Sequence, residues 1–245
     1  GRPFPQQLQD HGVARGSCNN SEPKMQTDEY YRENSTERVN PMRGQNKKIF
    51  LDIGCGSKKR QGFIGIDCNP SDGVDHIVNL EVERLPFADN TADGIYSSHC
   101  LEHLSSPKNI WQEISRVIKP GGFIEIWTPY PHHDDQWLNG HVSGWSESRW
   151  KHLSSQERHF YSRRFLCKGF WKWQAAQYII RADTEEDLGN LRILTNFAIR
   201  HMINIVQEWG CLFTFEEDDP GEHEPKRFTS TERASWNLQT QSLQL

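Results

Sequence analysis

The sequence predicts an α/β fold built on a mostly parallel sheet, and three observations carry that prediction. Short apolar runs alternate with helix-periodic stretches between residues 49 and 128, the order that parallel strands with helical crossovers produce. The first run, within IFLDIGCGSKKRQGFIGID (residues 49–67), reaches the acid Asp52 and is followed by Gly54 and Gly56. The second run ends in another acid, Asp67. Glycines just past a strand let the chain turn sharply and bring a ligand against the main chain. An acid at the end of the next strand can accept hydrogen bonds from two ribose hydroxyls.

The elements follow in order. Residues 49–53 are short, apolar and branched, and read as a buried strand; residues 63–67 read as the second. Only nine residues, Gly54 to Gly62, link them, fewer than a helical crossover needs, so at most about one helical turn is expected there. Lys58, Lys59 and Arg60 crowd that link and read as a solvated basic turn, with contact to an acidic substrate as the alternative. Residues 75–79 and 93–98 are the third and fourth strands. Ser106 is expected to cap a helix with Pro107 at its first position. Ile110, Ile114, Val117 and Ile118 form that helix's buried face, and Lys119-Pro120-Gly121-Gly122 stops it. Residues 123–128 are the fifth strand. Beyond Pro131, a helix is expected over 146–154 and a sixth strand over 171–181. Thr195 is expected to cap a helix presenting Ala198, Met202, Ile205, Val206 and Trp209, and a seventh strand is expected over 211–215.

Flanking these are a polar segment, residues 1–44, and a polar tail, residues 218–245. The first reads as a tail or as an arm whose Tyr30 and Tyr31 cover the site. The domain proper is expected over 45–217, with a core at 48–131 and a loop-rich elaboration at 131–194.

The bound nucleoside is narrowed by what the motif lacks. Lys59 stands where a dinucleotide fingerprint has its third glycine, and Asp67 comes well before the roughly 20-residue spacing of that fingerprint. No Gly-Lys-Ser or Gly-Lys-Thr is present, which excludes the Walker phosphate loop. A nucleoside without phosphates fits better.

With those features, LDIGCG, IGIDCNP, HIVNLEVERLPFADNTADGIYSSHCLEHL and RVIKPGGFIEIWTP, in that order, resemble the successive motifs of class I S-adenosylmethionine-dependent methyltransferases, of the small-molecule or polysaccharide-cluster type. The resemblance covers residues 48–131. It implies a Rossmann-like class I methyltransferase fold: a mostly parallel seven-stranded sheet with helices on both faces, the seventh strand antiparallel between its neighbours. It implies S-adenosyl-L-methionine as cofactor and S-adenosyl-L-homocysteine as product.

The resemblance also assigns roles. Gly54, Cys55 and Gly56 should lie beside the methionine and ribose, Asp52 should orient the loop or the donor's amino group, and Asp67 should hold the ribose. Asn79 and Leu80 are expected at the adenine, and Ser98 and His99 at the methionine end. Methyl transfer is an in-line displacement in which the protein positions and desolvates the reactants, and a hydroxyl or ammonium acceptor also needs a base. The loop after the fifth strand, PYPHHDDQWLNGH, supplies His132, His133 and His141 as candidates; His103 reads as a packing residue. A magnesium or manganese site of His and Asp in this loop is the alternative reading, but no ligand-spacing rule supports it, so a divalent metal is not expected. Trp137, Trp145 and Trp150 read either as an aromatic wall for substrate or as core anchors.

Composition bounds the rest. The net charge of −5 and the absence of a long basic block argue against nucleic acid, and no apolar run is long enough to span a bilayer. Six scattered cysteines without a CxxC fit a reducing, cytoplasmic setting. The reading is methyl transfer to a small molecule at oxygen, a sugar or specialised metabolite. N-methylation and a non-catalytic cofactor-binding partner subunit are the alternatives.

Overall fold

A computed structural model of the chain describes residues 48–154, 169–191, 194–221, 223–233, 235–237 and 242–244. The segment 1–44, with Tyr30 and Tyr31, lies outside them. The fold is the expected α/β, Rossmann-like arrangement, but its main sheet has eight strands rather than seven. These are β1 (Phe50–Ile53), β2 (Ile64–Asp67), β3 (His76–Ile77), β4 (Ala92–Ser98), β5 (Ile118–Pro129), β6 (Phe170–Ile180), β7 (Val206–Glu216) and β8 (Lys226–Ser230). Their order is β3-β2-β1-β4-β5-β7-β6-β8. β7 runs antiparallel to both β5 and β6, and β8 pairs parallel with β6. A separate antiparallel pair joins β9 (Ser235–Asn237) and β10 (Ser242–Gln244).

The eighth strand comes from the polar tail, in which no strand was expected. Its KRFTS carries one large apolar residue, Phe228, which packs against Phe123, Ala175 and Leu212. One inward side chain is too little alternation to reveal a strand. The helix expected to run on to Trp209 also stops early. It spans Thr195–His201, and Asn204 then adopts a left-handed φ of 57° that a helix cannot continue through. Val206 and Trp209 therefore belong to β7, where Trp209 faces Thr128 and Tyr178. Leu194, not Thr195, occupies that helix's cap, and Pro107, not Ser106, caps the helix before β5.

Four helices are present among the described residues: α1 (Lys108–Val117), α2 (Glu147–Leu153), α3 (Ala182–Asn190) and α4 (Thr195–His201). The links β1–β2, β2–β3 and β3–β4 contain turns only, so the short first crossover is as its length dictates. α1 lays Ile110, Trp111, Ile114 and Val117 on one face of the sheet, against Leu51, Ile53, Ile95 and Ile124. Tryptophans extend this core: Trp111, Trp145, Trp150, Trp171, Trp173 and Trp209 are all buried. Trp145 and Trp150 stack with centroids 4.5 Å apart. These two are thus core anchors, while Trp137 is 79% exposed. Each buried indole removes about 150–250 Å² from water, which fastens the α2 segment to the sheet without a long helix.

The opposite face is closed by arginine. Asp52, Tyr96 and Glu125 stand side by side across β1, β4 and β5. Arg60, from the first link, lies over the Tyr96 ring at 4.5 Å. Its guanidinium bonds Glu125 Oε2 at 2.9 Å, and its main-chain N–H donates to Asp52 Oδ2 at 2.7 Å. Lys59 pairs with Asp75 at 2.6 Å. Two of the three basic residues in the link are therefore engaged in holding it to the sheet.

Candidate functional site

The site is assembled at the carboxyl ends of β1, β2 and β4, where ligands enter open α/β sheets. Gly54 and Gly56 both take positive φ, 71° and 51°. A Cβ on Gly54 would stand 2.3 Å from Cys100 Sγ, so only glycine lets the turn pass beneath the segment after β4. The N–H groups of Gly54 and Cys55 both reach Ile66 O, at 2.8 and 3.3 Å. The turn is thereby tied to β2 and delivers Gly56 to Asp67.

Asp67 is oriented by main chain. Its Oδ2 accepts from Gly56 N–H at 3.0 Å and its Oδ1 from Asn69 N–H at 2.9 Å. Each carboxylate oxygen keeps a further lone pair for a vicinal diol. Asp52, 2% exposed, has its pKa raised by burial, partly countered by the Arg60 main-chain hydrogen bond. It acts on the loop rather than facing open solvent. Cys55 is buried too; desolvation, helped by the Asp52 and Asp67 carboxylates, pushes its thiol to about 11.

Asn79 and Leu80 open the turn after β3. The Asn79 side-chain oxygen accepts from Glu81 N–H at 3.1 Å, and Leu80 O accepts from Asn109 Nδ2 at 3.0 Å. Glu81 Oε1 receives the N–H groups of Ser105 and Ser106 at 2.6 and 3.1 Å. Glu81-Val82-Glu83 is thus a turn clamped to the chain after β4.

Ser98 and His99 close β4. His99 has φ 51° and its N–H reaches Trp127 O at 2.9 Å. Its ring is held between two carboxylates, Glu102 Oε1 at 3.2 Å from Nδ1 and Glu208 Oε2 at 2.9 Å from Nε2. Those neighbours, Glu102 first, raise its pKa to about 9. Arg233, beyond β8, completes this corner. It lies over Trp127 at 4.5 Å, donates to Ser98 Oγ at 3.1 Å and Tyr96 Oη at 3.3 Å, and pairs with Glu208. Neither Arg233 nor Glu208 was readable as a site residue, because only the sheet's far crossings bring them to β4.

The three candidate bases are not brought together. His132 is exposed beside the Tyr130 ring, and its carbonyl accepts from Asn204 N–H at 2.9 Å. His133 Nδ1 accepts from Asp135 N–H at 3.2 Å, capping the 3-10 turn Asp134–Trp137. His141 stands against His103, ring centroids 4.7 Å apart. Beside Tyr130 and Tyr178 a cleft of about 430 Å³ opens, lined also by Glu147, Lys151, Arg200 and Arg227.

Residues 60–126 match the methyltransferase domain family. A malonyl-acyl-carrier-protein O-methyltransferase of Marinomonas sp. (strain MWYL1) is 28% identical over 97 residues, covering 31% of this chain and 36% of that protein. The tRNA (carboxymethyluridine(34)-5-O)-methyltransferase of Arabidopsis thaliana is 33% identical over 93 residues, covering 32% of this chain and 23% of its own length. The chain thus spans less than two fifths of the curated relatives it matches. Among solved structures, a SAM-dependent methyltransferase from Archaeoglobus fulgidus aligns with TM-score 0.47 at 16% identity, over 69% of this chain and 86% of that one. Among the described residues no helix is long and apolar enough to cross a membrane.

Proposed function

We propose that this chain, which belongs to the class I S-adenosylmethionine-dependent methyltransferases, transfers the donor's methyl group to an oxygen of a small polar molecule. The observation that carries the donor half is the Asp67 carboxylate, fixed by Gly56 N–H at 3.0 Å beside two left-handed glycines. Asp67 takes the ribose hydroxyls, and Gly54, Cys55 and Gly56 line the ribose and methionine. Asp52 holds the loop, Asn79 and Leu80 border the adenine, and Ser98 and His99 stand at the methionine end.

The acceptor half rests on the cleft beside Tyr130. Its volume of about 430 Å³ suits a small ligand, for which pockets run roughly 300–1,000 Å³, and its charged lining favours a polar one. The net charge of −5 weighs against an RNA acceptor of the kind named for the Arabidopsis relative. The bacterial relative, named for O-methylation, is consistent with oxygen. Of the three histidines, His132 is the base best able to reach an acceptor, since it is exposed next to Tyr130 whereas His133 caps a turn.

Methyl-labelled donor incubated with the purified chain and a panel of hydroxylated and aminated small molecules tests the reading. Label carried to a hydroxyl supports it. Label found only on amines, or donor binding without turnover, replaces it with N-methylation or with a binding subunit.

A further inference from the structure

We infer that Glu102, His103 and His141 form a binding site for a divalent first-row transition-metal ion. One ligand atom from each, two imidazole nitrogens and a carboxylate oxygen, lies within 4.8 Å of the others. In a bound site with bonds of about 2.0–2.2 Å, ligand atoms stand roughly 3.3–4.2 Å apart. Closure therefore asks for side-chain shifts of an ångström or less.

Three features separate this trio from a chance meeting of polar groups. Glu102 is completely buried, yet among the described residues neither carboxylate oxygen receives a hydrogen bond. Its charged contact is His99 Nδ1, 3.2 Å from Oε1. That imidazole serves one oxygen only; Oε2 is buried without a partner, and a second cation would complete it. His141 Nδ1 is likewise buried without a partner.

His103 Nδ1 stands 3.1 Å from Gly140 O. A carbonyl only accepts, so Nδ1 carries the proton and the Nε2 lone pair is left for a metal. This is the outer hydrogen bond that metal-bound histidines make to fix their tautomer.

The two chain segments are also locked together. Val142 N–H and Ser143 N–H donate to Glu102 O at 2.8 and 3.1 Å, and Ser143 Oγ donates to Leu101 O at 3.1 Å. The loop that presents His141 is thus fastened by main chain to the turn that presents Glu102 and His103. Two imidazoles and one carboxylate suit zinc, cobalt, manganese or iron(II), and three protein ligands leave coordination positions open.

The ion would sit beside His99, at the edge where the donor's methionine end is assigned. An acceptor oxygen entering an open position would lose its proton more readily. That role rests on the methyl-transfer reading; binding of the ion does not.

The test uses the full, untagged chain, stripped with chelator and titrated with Co²⁺, without donor or acceptor. Calorimetry should give one equivalent bound, with visible d–d absorption bands. His103→Ala, at an exposed position, should fold as judged by circular dichroism and bind at least tenfold more weakly, as should His141→Ala. His133→Ala should bind like the parent. No uptake by the parent, or unchanged binding in a folded His103→Ala, would overturn the site. Because donor is absent, either result leaves the cofactor assignment to stand or fall on its own measurement.

Discussion

Gly56 N–H donates to Asp67 Oδ2 across 3.0 Å, and that bond ties the glycine turn after β1 to the acid that ends β2. The carboxylate is aimed before any ligand arrives, so little orienting entropy remains to be lost on binding. The first prediction follows from it. Asp67→Ala should weaken S-adenosyl-L-homocysteine binding by roughly 10- to 150-fold, the loss of hydrogen bonds to a charged acceptor worth about 1.5–3 kcal/mol. Calorimetry on the folded variant measures this, and unchanged affinity would remove Asp67 from the ribose.

The Arg60–Glu125 pair makes a stability prediction. Glu125 is 2% exposed and its pKa is raised by burial, which the facing Arg60 only partly offsets. Removing the cation alone, as in Arg60→Met, should destabilise the chain by about 3–5 kcal/mol, because it leaves a buried charge. Adding Glu125→Gln should recover most of that loss. Urea unfolding of both variants reads the difference, and equal loss in the two would deny the pair its part in holding the first link.

The tryptophan core separates anchors from surface. Trp150→Ala should cost about 3–5 kcal/mol, the range for deleting a buried indole. Trp137→Ala, exposed at the next loop, should stay within about 0.5 kcal/mol. Thermal or urea denaturation compares them directly.

Thiol reactivity should follow burial. Desolvation pushes Cys55 to about 11 and Cys100 to about 12, so at pH 8 only about a thousandth or less of either is thiolate, the reactive form. A raised thiol pKa means reactivity grows as pH climbs toward it. Exposed Cys68 should therefore be alkylated before Cys55 and Cys100 at pH 8, these two following only at higher pH or on unfolding. Peptide mapping by mass spectrometry after timed iodoacetamide treatment shows the order; early labelling of Cys55 would contradict it.

How much of this was legible depended on distance along the chain. β1, β2, the glycine turn and Asp67 were readable because everything that defines them lies within 20 or so residues of local pattern. α3 was not, since ADTEEDLGN buries only Leu188 and shows no apolar stripe. The pattern from Ala198 to Trp209 fitted a helix, but Asn204 and the pairing of Trp209 in the sheet decided otherwise. The corner made by His99, Glu208 and Arg233 joins residues more than a hundred positions apart. The trio Glu102, His103 and His141 likewise meets only because the loop after β5 folds back on the turn after β4. Sequence spacing carries no record of such meetings.

The parallel strand β8 has a consequence for handling the protein. Without it, β6 would end the sheet, and FWKWQAAQYII is long, apolar and free of proline, the kind of open border on which a second chain can template. β8 substitutes a five-residue rim whose Lys226, Arg227 and Thr229 are exposed. A truncation that stops short of Lys226 would thus leave β6 open for pairing with a second chain and raise the tendency to aggregate, however dispensable the polar tail looks on paper.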